Sequence, residues 1–115
     1  MVDEKKYESW YEWNLKFRNR NLTQTQAITL EMLNDNKSIE DISRLRRFKK
    51  ETVEKQIIEL ITMGKIDVSF VISDEKLEYM KLNILDKYLK LSSMREKLGE
   101  NYSYFEIKCF IASLD

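Results

Sequence analysis

At 115 residues the chain has the length of one domain. Two Gly, no Pro and a 43% hydrophobic share exclude a disordered or loop-dominated chain and favour helix. Twenty basic residues balance twenty acidic ones, so no global charge marks a nucleic-acid or membrane binder.

In chain order, the first segment runs from about Asp3 to Asn19, with acids early and bases late, as a helix dipole favours. Tyr7, Trp10, Tyr11, Asn14 and Phe17 fall near one face of it, with Trp13 to the side. Thr23 and Gln26 have capping-box spacing and open a second helix. Ala27, Leu30, Met32 and Leu33 are expected to form its inward stripe, and the turn-tolerant Asn34, Asp35 and Asn36 end it. Ser38 and Asp41 repeat the cap, followed at helical spacing by Ile39, Ile42 and Leu45, with Phe48 in the next turn. A further helix is predicted from Lys50 to Met63 on a stripe of Val53, Ile57, Leu60 and Ile61, and Gly64 stands where a left-handed cap belongs.

Residues 66–72 are β-branched and aromatic and read as a short extended stretch or strand. Ser73 caps a helix carrying Leu77, Met80, Ile84, Leu85 and Tyr88. Ser93 and Glu96 are expected to start a short helix that Gly99 stops. Ser103 and Glu106 open the last one, with Phe105, Ile107, Cys109, Phe110, Ile111 and Leu114. The predicted fold is all-α: a small bundle of about six helices, with one short strand near 66–72. Residues 1–21 are expected to form an N-terminal aromatic amphipathic helix, and 22–115 the main domain with a C-terminal helical subdomain.

Residues 38–60 have the spacing of a helix-turn-helix: one apolar stripe, a hydrophobe at the turn, and a second stripe that restarts at Val53. Arg44, Arg46, Arg47, Lys49 and Lys50 place five cations in seven residues with no acid among them. This is chemistry suited to phosphate contact, with Thr52 and Lys55 placed for contacts nearer the bases. Glu51, Glu54 and Glu59 are expected on the side of the second helix that would face DNA, where carboxylates repel phosphates. A plain three-helix packing unit with a solvated outer face accounts for the same spacing.

The stretch SIEDISRLRRFKKETVEKQIIELITMGKIDV resembles the helix-turn-helix domain at the C-terminus of RecQ-type DNA helicases, the Werner-syndrome type among them. Ser38 to Ile42 match that family's opening, Arg46 its turn Arg, Thr52 and Val53 the start of its second helix, and Gly64 to Asp67 its exit. The tail LGENYSYFEIKCFIASL (residues 98–114) is similar to its closing helix. Gln56 stands where the family often has His, and Arg47 where the turn often has Gly. The resemblance covers roughly residues 22–114 and implies a DNA-binding accessory domain, with duplex or fork DNA as partner. No phosphate-loop motif of a helicase motor occurs in the sequence.

No enzyme is expected. The chain has no His, which removes Ser-His-Asp and Cys-His catalysis and the commonest metal ligand. Cys109 lies among apolar residues and reads as a small hydrophobe. No cofactor, metal or small-molecule substrate is expected. One Cys and no apolar run of about 18 residues suit an intracellular protein, in a prokaryotic cytoplasm or a eukaryotic nucleus. The alternative to nucleic-acid binding is a protein-interaction or dimerisation module, with Trp10 and Trp13 of the N-terminal helix as anchors.

Overall fold

The computed structural model describes residues 9–114. They form seven α-helices: α1 (Trp10–Asn14), α2 (Gln24–Asn34), α3 (Ile39–Arg46), α4 (Lys50–Thr62), α5 (Asp74–Asn83), α6 (Leu91–Leu98) and α7 (Tyr104–Ala112). Two short 3₁₀ turns, Leu15–Phe17 and Val68–Phe70, complete the regular structure. The all-α expectation holds, and no strand occurs among the described residues.

Hydroxyl caps start most of these helices. Ser9, Thr23, Ser38 and Ser103 each accept the backbone N–H three residues on, and the side chain there returns to the cap's own N–H. Ser73 accepts from the Lys76 N–H. At the other ends, Gly64 (φ 73°) and Gly99 (φ 93°) take the positive φ that a residue without Cβ adopts freely.

Helix α4 is the central element, packed against α7, α2 and α3. Val53, Ile57 and Leu60 on α4 and Ile107 and Ile111 on α7 are all fully buried. Each contributes roughly 1.5–3 kcal/mol relative to exposure. Helix α6 lies against α7 and α5, and α1 against α7. Tyr11 and Asn14 of α1 are buried, so the N-terminal segment shares the core of the rest. Three polar contacts pin it. Asn14 Nδ2 donates to Thr62 Oγ1 on α4, Arg18 Nη2 donates to the Leu114 carbonyl at 2.9 Å, and Lys87 Nζ donates to the Tyr11 hydroxyl at 3.1 Å.

Several sequence expectations need correction. The expected first helix from Asp3 is seen from Trp10 only, since its earlier part, with Tyr7, lies outside the described residues. Residues 66–72 are not a strand. With no neighbouring strand to pair, the backbone closes on itself, Phe70 N–H to the Asp67 carbonyl and Val71 N–H to that of Val68. The Asp67 carboxylate accepts from the Ser69 N–H at 2.8 Å, and Ile66 and Ile72 bury the two ends. Helix α5 stops at Asn83, because turning there to extended backbone at Ile84 buries that side chain. Leu85 and Tyr88 are left exposed. Helix α6 begins after Lys90, not at Ser93, so that Leu91, Met94 and Leu98 share its inner face. In α2 the fully inward positions are Gln26, Thr29 and Leu33, and Ala27 is exposed. The reason is polar: Thr29 bonds Gln56 and Arg46, and Gln26 bonds Glu59, so this face of α2 is held by hydrogen bonds and not by an apolar stripe.

Candidate nucleic-acid interface

The two helices expected from residues 38–60 are α3 and α4, joined by Arg47, Phe48 and Lys49. Arg47 sits at φ 55°, ψ 40°, the left-handed conformation that ends a helix sharply. An L-residue there costs about 1 kcal/mol relative to Gly. The turn is pinned from both sides of Ser43. Phe48 N–H donates to the Ser43 carbonyl at 3.0 Å, and Ser43 Oγ donates to the Phe48 carbonyl at 2.6 Å. Phe48 is half-buried beneath the turn, as its spacing predicts.

The five cations of this stretch do not behave alike. Arg44, Arg47, Lys49 and Lys50 are exposed. Arg44 holds Asp41 at 2.9 Å and Lys50 approaches Glu40 at 3.8 Å, both in open solvent, where such pairs are weak and easily exchanged for phosphate. The Asp41 carboxyl lies below the usual carboxylate range, chiefly through its capping bonds with Ser38, with Arg44 adding to them.

Arg46 departs from the expectation of a phosphate contact. Its Nη1 donates to the Thr25 carbonyl at 2.9 Å and to Thr29 Oγ1, and its Nη2 to Thr25 Oγ1 at 2.8 Å. The guanidinium lies 4.5 Å from the centroid of the Phe48 ring. Gln56 on α4 joins the cluster: its Oε1 accepts from the Thr29 hydroxyl and, at 3.5 Å, from Arg46 Nη1, and its Nε2 donates to Thr25 Oγ1. A separate bond between the same two helices runs from Gln26 Nε2 on α2 to Glu59 on α4 at 3.0 Å. Arg46 therefore bolts α3 to α2 beside α4. Ile42, four residues earlier on the same row, is fully buried, whereas the expected stripe residue Leu45 is 55% exposed.

Helix α4 begins on Lys49 with no side-chain cap, a feature it shares with α6 on Lys90. No side-chain oxygen caps its first turn, where the Thr52 N–H turns back to the Lys49 carbonyl at 3.0 Å, and the positive end of the dipole adds to the exposed lysines. Thr52 and Lys55 are exposed on the first two turns. Glu51 is exposed, while Glu54 and Glu59 are half-buried to the sides. Within the helix-turn-helix the exposed cations thus gather at the end of α3, the α3–α4 turn and the first two turns of α4.

The rest of the outer side of α4 borders the N-terminal segment. Trp10 is half-buried, Trp13 is 43% exposed, and both line a groove with Glu51, Glu54, Lys55 and Glu59 of α4. Sequence reasoning missed the partners that α7 adds there, Tyr104, Phe105 and Lys108. It also missed the polar residues that hold Arg46, for which the spacing of Ile42 and Arg46 was the available signal. Cys109 is fully buried, and loss of hydration, reinforced by Glu54 and Glu106, pushes its thiol pKa far up, so it is inert. Among the described residues no three potential ligands cluster as a metal site, and no helix is long and apolar enough to cross a membrane.

Comparison with known protein families gives a match. The model of a family described as a helix-turn-helix domain aligns with residues 25–111, from the first turn of α2 to the end of α7. No curated protein and no solved structure gives a significant match. Such domains are non-catalytic as a rule, and they point to nucleic-acid binding in general. The match contains both helices and the pinned turn, and on it the chain belongs to this helix-turn-helix domain family.

Proposed function

We propose that the protein is a non-catalytic accessory domain that binds DNA mainly through its backbone, as in the C-terminal regions of RecQ-type helicases, inside the cell and in the service of DNA repair. The observation that carries this reading is the exposed basic turn, Arg47, Lys49 and Lys50, directly before the uncapped start of α4. Arg44 flanks it, and Thr52 and Lys55 stand where contacts nearer the bases would be made. Arg46 supports the surface from behind rather than touching DNA. The resemblance of residues 38–67 and 98–114 to the helicase domains supports the same role beside another activity.

Fluorescence anisotropy with labelled duplex and forked DNA at two salt concentrations tests it. Binding should weaken as salt rises, and each lost phosphate contact should reduce the log–log slope by about 0.9. The Arg47→Ala, Lys50→Ala double variant should bind more weakly with a shallower slope. An absence of binding at about 50 mM salt, or an unchanged double variant, would overturn the reading.

A second reading is favoured by the exposed edge of Trp13: the N-terminal helix docks a partner protein or a second copy through Trp10 and Trp13. Sedimentation of the wild type and of the Trp10→Ala, Trp13→Ala variant tests this, and monomers with no retained partner in both would refute it.

A further inference from the structure

The groove between α1, α4 and α7 has a volume of about 360 Å³, within the range of small-molecule sites. Trp10, Trp13, Phe17 and Phe105 supply aromatic surface and Ile58 an apolar floor. Around them stand Glu51, Glu54 and Glu59 against Lys55 and Lys108, three carboxylates to two ammonium groups. None of the three glutamates makes an ion pair among the described residues. Lys16 Nζ lies 3.9 Å from the centroid of the Trp13 ring without lining the groove, so that ring already takes a cation on one face.

We propose that this groove binds a small organic cation with an apolar body, of the arylalkylammonium class. Aromatic faces attract a cation through their quadrupole while the apolar body leaves water. Three carboxylates complement the positive head and disfavour an anion of the same shape. Loss of hydration, with Glu51 and Glu40 adding to it, raises the Glu54 pKa despite Lys50 and Lys108, and a bound cation would supply a counter-charge there. The inference does not rest on the nucleic-acid reading, because such a ligand binds without DNA.

Both tryptophans of the chain line the groove, so intrinsic fluorescence reports on it directly. The test titrates the whole chain, without DNA, with benzyltrimethylammonium, and in parallel with benzyl alcohol and benzoate as neutral and anionic counterparts. A saturable change with Kd on the order of 1 mM or tighter is expected for the cation, and weaker or no saturation for the other two. Glu54→Gln should weaken the cation about five-fold or more, and the exposed Glu51→Gln by a smaller factor. Far-UV circular dichroism confirms that both variants are folded, and if Glu54→Gln is not, the Glu51→Gln effect decides. Equal affinity for benzoate or benzyl alcohol, no saturation with the cation, or no effect of the deciding variant would overturn the proposal. Fluorescence that depends on protein concentration alone, as from a second copy filling the groove, would overturn it too. DNA titrations are read separately, so failure here leaves the DNA-binding reading intact and the converse also holds.

Discussion

Replacing Arg46 by Met removes the guanidinium while keeping most of its apolar stem, and the structure sets the cost. Four donations are lost, to the Thr25 carbonyl, Thr25 Oγ1 and Thr29 Oγ1, and a long one of 3.5 Å to Gln56 Oε1. The contact with the Phe48 ring goes with them. Hydrogen bonds to a charged group contribute about 1.5–3 kcal/mol where water is excluded. Half-burial and solvent screening reduce this, and the cation–π contact adds about 0.5–1 kcal/mol. A loss of about 2–4 kcal/mol follows, a large share of the roughly 5–15 kcal/mol that stabilises a domain. With a urea slope of about 1–3 kcal/mol/M, the unfolding midpoint should fall by about 1–2 M. Urea titration followed by circular dichroism at 222 nm, with tryptophan fluorescence as a second probe, measures this shift. Arg44→Ala is the control: its pair with Asp41 is exposed, and its midpoint should move by less than about 0.5 kcal/mol equivalent. If Arg46→Met unfolds at the wild-type midpoint, or no earlier than Arg44→Ala, Arg46 is not the bolt between α2 and α3 and the reasoning fails.

Arg47→Gly should raise the melting temperature by about 2–5 °C, since Gly relieves the left-handed φ at that turn, while DNA affinity drops with the lost cation. A lower melting temperature in a thermal scan would refute the conformational argument. Burial alone would raise the Glu106 pKa, but the Lys76 ammonium at 2.8 Å and the Ser103 N–H outweigh it and hold the carboxyl below its ordinary value. A depressed folded pKa gives stability that is complete above the unfolded value and disappears as pH falls through the folded one. Glu106→Gln should therefore cost about 0.5–1 kcal/mol at neutral pH, discounted for partial exposure, and nothing at the acid end of a urea-midpoint series. A gap that stays constant with pH would contradict the assignment. Asn14→Ala leaves the Thr62 hydroxyl without its buried donor and should cost about 1–3 kcal/mol. Limited proteolysis should then cut the N-terminal segment sooner than in wild type, and an unchanged cleavage rate would show that this bond does not hold α1 down.

The helices of this protein were legible because their signals are local. Ser38 with Asp41, Thr23 with Gln26 and Ser103 with Glu106 each satisfy a helix start within three residues. The row of Val53, Ile57, Leu60 and Ile61 needs nothing beyond its own periodicity to mark the buried face of α4. Ser93 misled because cap spacing alone cannot say where packing places the first turn. Residues 66–72 misled because β-branched composition cannot say whether a strand lies alongside to accept it.

The basic stretch divides the two kinds of knowledge most clearly. Composition placed five cations around the turn, and the spacing of Ile42 and Phe48 placed the turn itself. Which cations face water was decided by the docking of α2, whose Thr25 and Thr29 lie 21 and 17 residues away in sequence from Arg46 and draw its guanidinium inward. The same holds for the groove, where Trp13, Glu54 and Phe105 meet only because α1 and α7 both come against α4. A cap or an apolar stripe is satisfied by neighbours along the chain, and so is written in the order of residues. The partner of a buried charge or of an exposed ring is chosen by how separate helices pack, which no local spacing encodes.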